Sequence, residues 1–129
     1  MSDNPLRDLK DTVIEFIDDI RTNIITNDEH QTDFTKVKVY FQALPGPALM
    51  THAIKHVLPR KREIEKRNKA FFINNKEIFK GLPEDRIAIF SEKFKLSPTK
   101  GGISNENLKI IWDYWDTILS IIEEYKKEE

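Results

Sequence analysis

The chain has 129 residues, of which 39% are hydrophobic and 33% charged, with no cysteine and a net charge of −1. That length suits one domain that buries roughly two-thirds of its unfolded surface without covalent staples. The lack of cysteine excludes disulfides, thiolate metal centres and cysteine nucleophiles, and no run approaches the ~18 apolar residues of a membrane span.

The polar, acidic opening "MSDNPLRDLKD" carries no signal-peptide pattern, so the expectation is a soluble intracellular protein. Residues 5–26 then read as a first helix. Leu6, Leu9, Val13, Phe16, Ile17, Ile20 and Ile24 recur at three- and four-residue steps, with Asp3 or Asn4 to cap and Pro5 at the first helical position. Asp18 and Asp19 fall on the opposite side and are expected in solvent. "NDEHQTD" at 27–33 reads as a polar connection.

"FTKVKVYFQAL" is readable two ways. Val37, Val39 and Phe41 alternate like a strand, whereas Phe34, Val37, Phe41 and Leu44 fit a helix. A lone strand would have no partner elsewhere in this sequence, so helix is the reading adopted. "PGP" at 45–47 breaks the chain. A short helix over 47–58 follows, turning Leu49, Met50, Ala53, Ile54, Val57 and Leu58 inward. Pro59 starts or kinks a basic helix over 60–73, with Ile64, Asn68, Phe71 and Phe72 inward.

"NNKEIFKGLP" reads as a turn region anchored by Ile78, Phe79 and Leu82. Pro83 opens another helix, with Glu84 and Asp85 in the first turn, where the dipole favours acids, and with Ile87, Phe90 and Phe94 as its apolar side. After the loop "LSPTKGGIS", Ser104 caps a long last helix over 105–127. Leu108, Ile111, Trp112, Trp115, Ile118, Leu119, Ile122 and Tyr125 form its wide apolar face. The expected architecture is therefore all-α: a single compact domain spanning 1–129, of five or six helices, with residues 1–4 and 126–129 frayed. Its long first and last helices pack together, because neither can bury its stripe alone.

Charge is distributed unevenly. Residues 1–35 hold three Lys/Arg against nine Asp/Glu, residues 36–80 hold eleven against three, and residues 81–129 hold seven against ten. A basic middle between acidic ends attracts a polyanion unless the ends fold back and neutralise it. Lys55, Arg60, Lys61, Arg62, Lys66, Arg67 and Lys69 are the candidate partner- or polyanion-binding residues. Glu63 and Glu65 interrupt that run at spacings suited to helical ion pairs. Phe71 and Phe72 could stack on bases, but at the end of an amphipathic helix they read as core. Trp112 and Trp115, three apart within the stripe, also read as core. Tyr114 falls on another side and is the candidate exposed anchor.

Chemistry finds little support. His52 and His56 stand one helical turn apart, the spacing a zinc site needs, but position 53 is alanine where a metalloprotease motif has glutamate. The pair reads as two half-exposed polar residues, and His30 lies in the polar connection, so no metal ligand set is expected. No serine sits in a glycine-flanked elbow, and "GLP" and "KGGIS" are too short to cradle phosphate. Adjacent acids such as Asp18/Asp19 and Glu123/Glu124 point apart around a helix. The expectation is a non-enzymatic protein with no cofactor and no small-molecule substrate.

Three stretches together resemble a group of small uncharacterised helical proteins encoded by nucleocytoplasmic large DNA viruses, the giant viruses and their relatives. They are "VIEFIDDI" at 13–20, "VLPRKREIEKRNKAFFINN" at 57–75 and "ISNENLKIIWDYWDTILSI" at 103–121. The shared features are a proline followed by charged residues and a double phenylalanine, and a tryptophan followed by an aromatic in the next turn. This chain departs in having Arg67, Asn68 and Lys69 where the group tends to be acidic. The resemblance implies a virus-encoded helical protein of the infected host cytoplasm (the viral factory), with the virion as a further location. It implies no catalytic residue. Together these readings point to a protein that acts through protein–protein contacts or self-association, in a structural, scaffold or replication-compartment role. The alternative is a nucleic-acid-binding module using the basic helix 55–69.

Overall fold

A computed structural model describes residues 4–24, 28–68 and 103–128. These residues are mostly helical, and no strand occurs among them. Helix α1 spans Pro5–Asp19. The Asn4 side-chain oxygen accepts the Arg7 backbone N–H at 3.1 Å, and Pro5 fills a first-turn position where a missing N–H costs nothing. The chain then widens into a π-helical turn over Ile20–Ile24 instead of continuing as α-helix. There the Thr22 hydroxyl donates to the Asp18 carbonyl at 2.7 Å, a competing partner of the kind that loosens a helical ladder.

Helix α2 spans Asp28–Ala43. The helical reading of "FTKVKVYFQAL" stands, but the helix begins six residues before Phe34, inside the stretch read as a connection. Polar residues exclude burial, not helicity. The Gln31 amide donates to the Arg21 carbonyl at 3.1 Å, which ties α2 to the π turn. Helix α3 spans Gly46–His56. A Cβ on Gly46 would lie 3.4 Å from Leu6 Cβ, so the start of α3 is seated directly on α1. Lys10 Nζ closes the same corner by donating to the Leu44 carbonyl at 3.0 Å.

A 3-10 turn over Leu58–Arg60, with Pro59 at its start, leads into helix α4, Lys61–Glu65. The continuous basic helix expected over 60–73 is not formed. Lys66 and Arg67 make a turn and Asn68 is already irregular, while residues 69–73 lie outside the described residues. Also outside them are the turn at 74–83, the helix opening at Pro83 and the loop at 96–102. Helix α5 spans Asn105–Glu128. Ser104 caps it as its sequence predicts: its hydroxyl oxygen accepts the Asn107 N–H at 3.1 Å.

Helix α1 is the shared element. It packs against α2, α3 and α5, while α5 also meets α3 and α4. Leu9 and Phe16 of α1 and Ile20 of the π turn join Leu49, Met50 and Ala53 of α3 and seven residues of α5 in one buried cluster. The α5 members are Leu108, Ile111, Trp112, Trp115, Ile118, Leu119 and Ile122, all drawn from the stripe read in sequence. Phe16 sets the α1–α5 seam, edge-on to Trp115 at 6.0 Å and stacked on Tyr114 at 4.7 Å. Ile64 is the buried residue of α4 and is fully sealed.

Candidate functional site: the basic turn and its acidic partners

The basic residues do not form one exposed cationic surface. Lys61 Nζ lies 2.6 Å from Glu123 Oε1 on α5 and 3.7 Å from Glu65 Oε1. The hydrogen bond to Glu123 raises the Lys61 ammonium above the ordinary lysine value, and Glu65 adds to the same effect. Arg60 stands 3.8 Å from Glu63. Arg67 holds Asp116 on α5 with both ends of its guanidinium, at 2.8 and 2.6 Å. The same group sits over the Trp112 ring, 5.7 Å from its centroid.

Arg67 is in this place because of its backbone. Its φ is 55°, the left-handed region that normally selects glycine. It occupies the position after the α4 C-cap. The Asn68 N–H donates to the Glu63 carbonyl at 3.0 Å and the Arg67 N–H to the Ile64 carbonyl at 3.1 Å, the two-bond closure that ends many helices. That closure terminates the basic helix and swings the Arg67 side chain onto α5.

Of the other candidates, Lys55, Arg62 and Lys66 are exposed, and none makes an ion pair with another described residue. Lys69 lies outside the described residues. Tyr114, expected as an exposed anchor, is half-buried against α1. Its ring stacks on Phe16 with an interplanar angle of 7°, and its hydroxyl donates to Asp19 Oδ2 at 2.5 Å. Burial, then the hydrogen bond to Asp19, pushes the phenol well above its ordinary value of 10.0.

Asp18 and Asp19 accordingly do not face open solvent alone. Asp19 also accepts from the Asn23 amide at 2.7 Å. Asp18 lies 3.0 Å from Lys38 on α2 and 3.0 Å from Arg21. The hydrogen bond from Lys38 is the main cause holding its carboxyl below the usual value, with Arg21 assisting and burial opposing. Sequence reading did not single out Asp18, Asp116 or Glu123 as partners of the basic middle. The signal was present in the acidic ends, whose folding back onto the middle is what these three cross-element pairs accomplish.

His52 and His56 lie on one side of α3 with ring centroids 4.6 Å apart. Among the described residues, no group of three or more His, Asp or Glu side chains could hold a metal ion, and no helix is long and apolar enough to cross a membrane. A shallow open depression between α4 and α5 is lined by Lys61, Glu65, Asp116, Leu119, Ser120 and Glu123. Within it Lys61 is engaged with Glu65 and Glu123, and Asp116 is held by Arg67. The geometry defines a small helical protein whose basic turn is clamped internally to its last helix. Compared with family models, curated proteins and solved structures, the chain finds no match.

Proposed function

We propose that this chain is a non-enzymatic helical protein that works through protein–protein contacts. The observation that carries this reading is the outer side of α2. Phe34 is the buried residue among the described side chains of that sixteen-residue helix, and Val39 and Tyr40 are 55% and 38% exposed. A surface helix ordinarily sinks three or four apolar residues per two turns, so α2 is under-covered for its length. Apolar side chains left out in this way are the material of protein contacts. A viral structural, scaffold or replication-compartment setting rests on the resemblance of three sequence stretches alone.

The second reading is nucleic-acid binding, favoured by the exposure of Lys55, Arg62 and Lys66. Against it stands the engagement of Lys61, Arg67 and Lys38 by Glu123, Asp116 and Asp18, which lowers the positive field that a phosphate backbone would meet. The test is binding to labelled single- and double-stranded DNA and RNA at low and physiological salt, with solution mass read on the same sample. Protein contact predicts no salt-sensitive binding, and a self-associated species that the paired change Val39→Ser and Tyr40→Ser dissolves. Steeply salt-dependent binding lost in the triple variant K55E/R62E/K66E would overturn it in favour of nucleic acid.

A further inference from the structure

The basic turn and α5 meet in register. Lys61 pairs with Glu123 and Arg67 with Asp116, so the turn runs antiparallel along the last helix and two cations face two anions. Asp116 and Glu123 are seven residues apart, two helical turns, or about 10.5 Å along α5. Three phosphate steps of a B-form strand, about 3.4 Å each, cover the same length. Neither pair is sealed. The four side chains are between 34% and 45% exposed, so an outside anion can reach both cations. Exposed pairs of this kind gain little in water and yield to competing ions.

Arg67 is also held by more than its acid. Its left-handed backbone and its seat over the Trp112 ring both remain when Asp116 is neutralised. A guanidinium fork suits phosphate as well as carboxylate. Each clamped cation has an exposed chain neighbour that makes no ion pair with another described residue: Arg62 beside Lys61, and Lys66 beside Arg67.

We infer that Lys61, Arg62, Lys66 and Arg67 form a binding site for the phosphate backbone of nucleic acid, which Asp116 and Glu123 of α5 occupy in its place. The two carboxylates stand in for two strand phosphates, and nucleic acid binds by displacing them. The intact chain therefore binds weakly, and neutralising the two acids turns binding on. The site uses α4 and α5 and leaves the exposed side of α2 aside, so it stands or falls separately from the protein-contact reading.

The experiment measures binding of the full chain to labelled duplex DNA by fluorescence anisotropy, at salt from about 50 to 200 mM. D116N/E123Q removes both occupying charges. D11N/E106Q is the charge-matched control, because Asp11 and Glu106 are exposed and make no ion pair with another described residue. At the lowest salt D116N/E123Q should bind at least tenfold more tightly than wild type, and the control no more than threefold. Two added phosphate contacts should steepen the slope of log affinity against log salt by about 1.8, with the control slope unchanged. Adding K61Q and R67Q to D116N/E123Q restores the wild-type net charge and should return affinity and slope to wild-type values. Circular dichroism checks helix content. If D116N/E123Q unfolds, D116N and E123Q are measured singly, each with about half the change in slope. A gain equalled by D11N/E106Q, or kept after K61Q and R67Q, would be a general charge effect and would overturn the site. Wild-type binding as tight and as salt-dependent as that of D116N/E123Q would show that the acids occupy nothing. Absence of binding by D116N/E123Q would also overturn the inference.

Discussion

Helix α5 commits seven apolar side chains to the core it shares with α1, whereas α4 meets α5 through one sealed residue, Ile64, and through the surface pairs Lys61–Glu123 and Arg67–Asp116. The seam draws its free energy from area removed from water, which salt and pH barely touch. The α4 junction draws much of its own from charges about two-fifths exposed, which gain little in high dielectric and are screened by salt. The first region can hold the fold. The second can position a turn but cannot hold much more.

The sharpest way to break that comparison is at Trp115. It is 6% exposed and edge-on to Phe16 across the seam. Trp115→Ala should cost about 3–5 kcal/mol, read as a shift in the urea midpoint at constant slope. A cost below ~1 kcal/mol would mean that the α1–α5 seam is not where stability resides.

A smaller effect is expected at Tyr114, on the rim of the same seam. Tyr114→Phe keeps the stack on Phe16 and removes only the O–H···Asp19 bond, while Asn23 continues to serve the carboxylate. The expected loss at pH 8 is about 1–2 kcal/mol. The sign of its pH dependence follows from the raised phenol. The folded state prefers the protonated hydroxyl, so the contribution is fully present below the unfolded value of about 10 and declines as pH rises beyond it. The gap in urea midpoint between wild type and Tyr114→Phe should therefore hold from pH 8 to about pH 10 and narrow above it. A constant gap would show that the hydroxyl is not bonded to Asp19.

What could be read from the sequence followed the range of the forces involved. The stripe of α5 and its Ser104 cap were legible because helical periodicity and capping act within a few residues, and the core placement of Trp112 and Trp115 followed from them. The start of α2 was not, because a polar stretch can be helix or loop with equal comfort. Tyr114 was misplaced because it lies off the α5 stripe, and only the position of Phe16, almost a hundred residues earlier, covers it. The end of α4 was hidden for the same reason. "KREIEKRNKAFF" contains good helix formers and no glycine, and what stops it is a left-handed closure at Arg67, whose side chain an acid 49 residues away holds.

That arginine provides the finest test of the α4 junction. A non-glycine residue in the left-handed region costs roughly 1–2 kcal/mol. Against this cost stand the two-pronged bond to Asp116, discounted for its exposure, and the contact with Trp112, which together contribute about 1–2 kcal/mol. The two sides are nearly equal. Arg67→Ala keeps the strain and loses both contacts, so it should destabilise by about 1–2 kcal/mol. Arg67→Gly loses the same contacts but relieves the strain, so it should come out about 1 kcal/mol better than alanine and close to wild type. Both are read from urea midpoints at low salt. Raising the salt to 1 M should draw wild type toward alanine, because it screens the Asp116 pair while leaving the backbone cost intact. If glycine and alanine behave alike, the left-handed closure of α4 is not what places Arg67 on α5, and the clamp is made by the side chains alone.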